Sequence, residues 1–472
     1  MVKGKKEGIK LLSYIRPILG FLPEVESADR VVPLRDKMIW TALTLLIFLV
    51  CSQIPLYGIS KMVGDDPMFW SRLILASNRG TLMELGIGPV VTAGMIIQLL
   101  VGSKILEVDQ NNKEDKQLIK GAQKLLAILI ALFEAVAYVY SGMYGDLETI
   151  GAFKALMIIV QLVAASIIVQ LLDEVLDKGY GMVSAISLFI ATNVAEELLW
   201  KSFSPLSEGG EYEGAFVAFF HYLFSVPNKF TALRKGFYRE GPNLNNVIAT
   251  IFVFLVVNYF QGFQVNVAIH NKKIKGHSES YPIKLFYTSN MPIILQSTLL
   301  SNLFFISRLL YKRFGNFFLI RLLGKWKEHS IGGQSYPVGG LVYYISPPDS
   351  LLNMIYDPLH ALTYILFILV TCAVFSRTWI EISGSSAKEV SRSLKDQDVT
   401  AYGGTDKLLY KKLNKYIPIA AVFGGVCIGM LSLMADFLGA IGSGTGILLT
   451  CGIIYEFYDS FTKETRSGQS VW

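Results

Sequence analysis

Charge is what this sequence has least of. Asp, Glu, Lys and Arg together make up 17% of its 472 residues, where a soluble globular chain carries about a quarter. A water-solvated domain of this length is therefore excluded. Histidine is sparse too. Its five residues (His221, His270, His277, His329 and His360) form no H-E-x-x-H pair, and no Cys or His cluster has the spacing of a metal site. No metal and no cofactor are expected. The four cysteines, Cys51, Cys372, Cys427 and Cys451, fall in or at the ends of apolar stretches, which argues against a disulfide framework. A G-x-x-x-x-G-K-[ST] phosphate loop and a G-x-S-x-G elbow are both missing. The nearest approach to the first, Gly442-Ser443-Gly444-Thr445-Gly446, sits in an apolar span with no strand before it, where close helix packing is the expectation. No catalytic residue is expected, and the chain does not read as an enzyme.

What is abundant is apolar sequence, 52% of the chain, gathered in blocks of roughly 18–24 residues. That is the length a helix needs to cross about 30 Å of hydrocarbon. The pattern predicts an all-α integral membrane protein with ten spans near 38–58, 88–106, 118–142, 151–172, 183–200, 246–264, 288–311, 355–375, 417–435 and 439–458. Several spans are poor. The second holds Gly88, Pro89, Gly94, Gln98 and Gly102, and the fifth holds Asn193 and ends in Glu196-Glu197. Such residues face a polar or water-filled interior more cheaply than lipid. Starting with the N-terminus inside, the inside segments collect roughly twice the Lys and Arg of the outside ones, which predicts cytosolic termini. Residues 9–22 alternate apolar side chains with Lys10, Ser13 and Arg16, the pattern of a surface-lying amphipathic helix rather than a cleavable signal. Ionisable groups within spans are few: Glu134 is deep, Lys154 lies near the start of the fourth span and Asp436 just past the ninth.

Six strings stand out in order along the chain: Ile54-Pro55-Leu56-Tyr57-Gly58, residues 76–86 (Ala-Ser-Asn-Arg-Gly-Thr-Leu-Met-Glu-Leu-Gly), Gly179-Tyr180-Gly181 with residues 185–190, residues 281–290, Thr378-Trp379-Ile380-Glu381-Ile382-Ser383-Gly384, and residues 435–446. Together they resemble the SecY family, in the form of the pore-forming alpha subunit of the eukaryotic endoplasmic-reticulum Sec translocon. The likeness runs from about residue 20 to about 460.

The resemblance implies ten transmembrane helices in two pseudo-symmetric halves that open sideways at a lateral gate. The matching organisation is a cytosolic N-terminal segment 1–37, a first half 38–244, a second half 245–460 and a cytosolic tail 461–472. It further implies a passive channel in the endoplasmic reticulum membrane, multi-pass, that translocates secretory polypeptides and releases membrane segments into lipid. Its constriction ring maps to Ile87, Val91, Ile186, Ile190, Ile294 and Leu449, all aliphatic, as a compliant seal that gates by dewetting requires. A lateral-gate polar cluster maps to Thr92, Glu134 and Asn302, with Glu134 standing where the family commonly has Gln. A plug maps to about 60–86, with Met68, Phe69, Trp70, Leu73 and Ile74; by composition alone this stretch reads rather as an ordinary lumenal loop with a surface helix.

Two inside loops, 267–287 and 376–416, match the family's ribosome-docking loops through Lys272, Lys273, Lys275, Lys407, Lys411 and Lys412. Basic loops suit ribosomal RNA phosphates, although positive-inside topology accounts for the same charge. Lys275 replaces a common Arg, losing the bidentate fork, and Gly403-Gly404-Thr405-Asp406 replaces Gly-x-Arg-Glu. The partners implied are two small single-span subunits, beta and gamma, in a heterotrimer, the ribosome and its RNA, nascent polypeptides with signal sequences, post-translational translocation partners, lumenal chaperones and membrane lipids. The competing readings are a secondary transporter, for which only Glu134 is placed deeply enough, and a structural insertase or scaffold without an aqueous path.

Overall fold

The computed structural model describes residues 17, 20, 22–28, 32–59, 72, 74–102, 113–140, 144, 150–208, 211–239, 241–271, 278–288, 291–315, 317–328, 335–348, 356–396, 399–401, 406–442 and 444–466. Among these the long helices are α1 (Leu34–Gln53), α2 (Gly88–Gly102), α3 (Lys113–Tyr140), α4 (Ala152–Val175), α5 (Ala185–Phe203), α6 (Leu244–Gln261), α7 (Met291–Phe314), α8 (Pro358–Ile382), α9 (Asp406–Phe437) and α10 (Gly444–Arg466). Segments through α2, α3, α4, α6, α7, α8 and α9 are long and apolar enough to cross a membrane. The other three helices also hold charged residues: α1 opens on Arg35-Asp36-Lys37, α5 holds Glu196, Glu197 and Lys201, and α10 holds Glu456 and Asp459.

Short strands join the helices: β1 (Gln264–Asn271), β2 (Ser278–Lys284), β3 (Lys325–Glu328), β4 (Ser335–Gly339) and β5 (Val399–Ala401). They lie outside the apolar blocks, where hydropathy carries no signal. The chain divides into two compact units. The first comprises residues 1–194, 297–346 and 453–472, the second residues 195–296 and 347–452.

In the first unit α3 packs on α2 and α4. Ala127, Ala131 and Ala135 recur every four residues on the buried face of α3, and small side chains at that spacing let helix backbones approach. Ala131 and Ala135 meet Leu85, Ile158 and Leu162 in one apolar cluster. The opposite face of α3 shows Leu129, Leu132, Phe133 and Val136 outward, as a lipid-facing stripe should. Phe48 of α1 stacks on Phe189 of α5 with ring centres 4.4 Å apart. At the end of α4, Glu174 accepts from Lys124 at 2.7 Å and Lys178 at 2.9 Å. The same two ammonium groups donate to the carbonyls of Pro23 and Val25, pinning the extended segment before α1.

In the second unit α8 and α9 pack along much of their length. Ser376 donates to the Ala421 carbonyl at 2.6 Å, and its hydroxyl lies 2.9 Å from that of Thr288. β1 and β2 pair antiparallel from Gln264–Lys284 to His270–Ser278, and β5 adds to β1. Val267, Ile269 and Ile283 of this sheet share a core with Ile380, Leu409, Leu413 and Ile417. Tyr287 donates from its phenol to the Ser385 carbonyl at 3.0 Å, and burial raises its pKa so that the proton stays in place.

The structure redraws several element boundaries. The stretch 376–416 is largely ordered secondary structure: α8 runs to Ile382, a helix spans Ala387–Asp396, and α9 begins at Asp406 rather than near 417. Its first turns are amphipathic, so a hydropathy window ends too soon. At 32 residues α9 is about 48 Å long, well beyond the hydrocarbon. Residues 461–466, assigned to a tail, continue α10. Gly444, Thr445 and Gly446 form the first turn of α10, and close packing holds there: a Cβ on Gly444 would lie 2.1 Å from the Ser432 carbonyl oxygen. The Gly444 N–H donates to Asp436 Oδ1 at 2.6 Å, placing a carboxylate at a helix N-terminus.

Candidate functional site

The segment between α1 and α2 folds back on itself just before α2. Pro55 bridges Thr81, the Leu56 N–H donates to the Gly80 carbonyl at 2.9 Å, and the Leu82 N–H donates to the Ile54 carbonyl at 3.0 Å. Thr81 caps the turn Leu82–Glu84 by accepting from the Met83 N–H. The Ile87 N–H then reaches the Leu75 carbonyl at 2.9 Å. This closure requires a glycine at 86: its φ is +55°, and a Cβ would sit 2.3 Å from the Leu75 oxygen.

The fold-back buries a charged pair. Arg72 Nη1 lies 2.5 Å from Glu84 Oε1, and the Glu84 side chain has no exposed surface. Its other oxygen accepts from the Gly80 N–H, and Ser77 donates to the Glu84 carbonyl. Both carboxylate oxygens are thus hydrogen-bonded, as a buried ion needs.

Beside the pair lies a cavity of about 50 Å³, room enough for ordered water. Three helices line it, each from one face. α2 gives Gly88 and Thr92, α3 gives Glu134 and Tyr138, and α7 gives Thr298, Ser301, Asn302, Phe305, Arg308 and Lys312. These are helical spacings of three and four. Asn302 donates to Thr92 Oγ1 at 3.1 Å. One level away the Tyr138 ring meets Phe305 edge to face, with centres 4.8 Å apart. A hydrogen bond and an aromatic contact therefore join α2 and α3 to α7, and Glu134 opens onto the same space. The span through α2, Leu82–Val101, is the most enclosed of the seven, 72% buried against 28–50% for the rest.

Of the six aliphatic ring positions, Ile87, Val91, Ile190, Ile294 and Leu449 are buried and Ile186 is half-buried. Ile87, Val91, Ile186 and Ile190 belong to the first unit, Ile294 and Leu449 to the second. Among the plug positions Ile74 is buried, while Met68, Phe69, Trp70 and Leu73 lie outside the described residues. Lys272, Lys273 and Lys275 also lie outside them, as does the side chain of Lys407. Lys411 and Lys412 are exposed on the first turns of α9.

Sequence reasoning missed Arg72, Glu84, Arg308 and Lys312. A usable signal existed for the last two, since Arg308 and Lys312 stand four apart inside or at the end of an apolar span, where ionisable groups mark interior faces.

The SecY family pattern matches residues 81–458, and immediately before it the plug domain of Sec61p matches residues 46–80. The chain belongs to the SecY family. A protein transport protein Sec61 subunit alpha from Pyrenomonas salina is 55% identical over 461 residues, covering 96% of this chain and 93% of that one. Among solved structures, a protein-conducting channel superposes with a TM-score of 0.77 at 33% identity, over 96% of this chain and 97% of that one. Sec61 in a canine ribosome–channel complex from the endoplasmic reticulum gives a TM-score of 0.75 at 33% identity, again over 96% and 97%. In SecY-family terms the fold-back that buries Arg72 against Glu84 straddles the boundary between plug and channel patterns. The plug match contains all five plug positions together with Arg72.

Proposed function

We propose that this chain is the pore subunit of a protein-conducting channel, carrying secretory polypeptides across the endoplasmic reticulum membrane and releasing membrane segments sideways into lipid. The observation that carries this reading is the near-full-length likeness to a Sec61 alpha subunit with a plug pattern ahead of it. The Asn302–Thr92 hydrogen bond supports a closed gate between α2 and α7. The chain is not an enzyme; direction comes from the ribosome or from post-translational partners. Both termini are cytosolic, in keeping with the Lys and Arg asymmetry. Residues 38–244 and 245–460 form the two halves. Ile87, Val91, Ile186, Ile190, Ile294 and Leu449 form the constriction, and Met68, Phe69, Trp70, Leu73 and Ile74 belong to the plug. The basic loops, through Lys272, Lys273, Lys275, Lys407, Lys411 and Lys412, meet ribosomal RNA phosphates. Two single-span subunits complete the complex.

The test is photo-crosslinking from Ile87 to a nascent chain on a stalled ribosome. Crosslinks that depend on a functional signal sequence support the pore. Ribosome binding without any crosslink at Ile87 or Ile186 removes the ring assignment. Repeating the measurement in Glu134→Gln channels addresses the gate: the proposal expects altered stringency toward weak signal sequences, and unchanged stringency takes Glu134 out of it.

A further inference from the structure

Between α5 and α6 the chain forms a hairpin of two short helices, Ala215–Ser225 and Lys229–Tyr238. It is firmly built. Ala218, Tyr222 and Ala232 close its inner side, and Asn228 caps the second helix by accepting from the Phe230 N–H. Arg239 clamps the base, donating to the carbonyls of Tyr212 at 2.6 Å, Glu213 at 2.7 Å and Pro242 at 2.7 Å. Yet its outer side is apolar. Phe224, Phe230 and Tyr238 are 82%, 79% and 78% exposed, and Phe220 and Leu233 are exposed beside them.

The arrangement around each helix says what covers this side. On Lys229–Tyr238, Ala232 and Gly236 face the protein, Phe230, Leu233 and Phe237 form a second stripe, and Arg234 and Lys235 lie beyond it. Protein, apolar and basic sectors thus follow one another around the helix. A helix immersed in water has no use for the middle sector, and one crossing the bilayer has no place for the last. The three-sector pattern fits a helix lying in the membrane interface with its bases at the headgroups. The apolar side is also continuous with a lipid-facing surface. The hairpin packs against α6, a membrane-length span whose Ile248, Ile251, Phe252 and Leu255 are exposed.

We propose that this hairpin is an interfacial anchor, with Phe220, Phe224 and Phe230 seated among lipid headgroups and upper acyl chains where α5 ends and α6 begins. The site does not depend on what the channel carries.

The test uses full-length chain in phosphatidylcholine vesicles. The four native cysteines are replaced, and a nitrobenzoxadiazole dye is placed on Phe224→Cys, Phe230→Cys or Lys235→Cys. At 224 and 230 the expected result is blue-shifted emission, strong quenching by lipids spin-labelled near the headgroup, and at least a threefold lower iodide quenching constant than at 235. Iodide quenching at 224 and 230 equal to that at 235, without lipid quenching, overturns the proposal. Shielding from both quenchers also overturns it, because it means a protein surface covers the patch. The native chain provides an independent reading through a phosphatidylcholine carrying a diazirine near its headgroup. Labelled peptides within 215–238 are expected, and labelling confined to the long helices counts against the anchor.

Discussion

Arg72 and Glu84 are twelve residues apart, and either charge alone would be costly in a buried site. Together, with Gly80 and Ser77 supplying further hydrogen bonds, they close the segment ahead of α2 onto its start. Removing one partner from a buried pair leaves an uncompensated charge, which costs about 3–5 kcal/mol, whereas replacing both by apolar groups is often near neutral. Arg72→Met should therefore lower thermal stability sharply in detergent and raise ion leak through idle channels. The double change Arg72→Met with Glu84→Leu should recover most of both losses. A double variant as impaired as the single would show that the charges do more than neutralise one another. Nothing local in the sequence announces this pair, because the contact depends on the path of the chain between the two residues, which passes through positive φ at Ala76 and Gly80. Thr92 and Asn302 were reachable only through family likeness, since 210 residues separate them.

At the scale of elements, the apolar blocks located the long helices to within a few residues over α3, α4, α6 and α7. Their interiors meet lipid on one side, and lipid selects for hydropathy. The misplaced ends are those where a helix leaves the hydrocarbon. α9 is the clearest case: Leu409, Leu413 and Ile417 recur every four residues toward the small sheet, while Lys411, Lys412 and Lys415 face out. That stripe is amphipathic rather than apolar, and its partners in β1 and β2 are invisible to a window tuned for spans. The packing makes the sheet depend on the helix. Truncating a fully buried leucine costs about 2–5 kcal/mol, so Leu413→Ala should speed amide hydrogen exchange in Gln264–Asn271 and Ser278–Lys284 by one to three decades while leaving α6 protected. Equal exchange in parent and variant would mean that the sheet stands without α9. On the proposal that Lys272, Lys273 and Lys275, between these two strands, meet ribosomal RNA, the variant should also bind ribosomes less tightly at a given salt concentration.

For the whole molecule, the question is how a pore that stays shut at rest releases a chain into lipid. Among the described residues a neutral hydrogen bond joins Asn302 of α7 to Thr92 of α2, and an aromatic edge contact joins Phe305 of α7 to Tyr138 of α3. A net hydrogen bond contributes about 0.5–1.5 kcal/mol and an aromatic pair a similar amount. On the proposed reading these two contacts together contribute roughly 1–3 kcal/mol to a closed gate, a share that a signal sequence offsets by binding the open state more tightly by a similar amount. A covalent bond in the same place should abolish that balance. In a chain lacking its native cysteines, Thr92→Cys with Asn302→Cys places two thiols where side chains already touch. Mild oxidation should lock α2 to α7, stop membrane insertion of a signal-bearing substrate by more than tenfold, and leave ribosome binding intact; reductant should restore insertion. If the oxidised channel inserts substrates at the parental rate, the passage into lipid does not run between α2 and α7, and this face of the cavity serves packing alone.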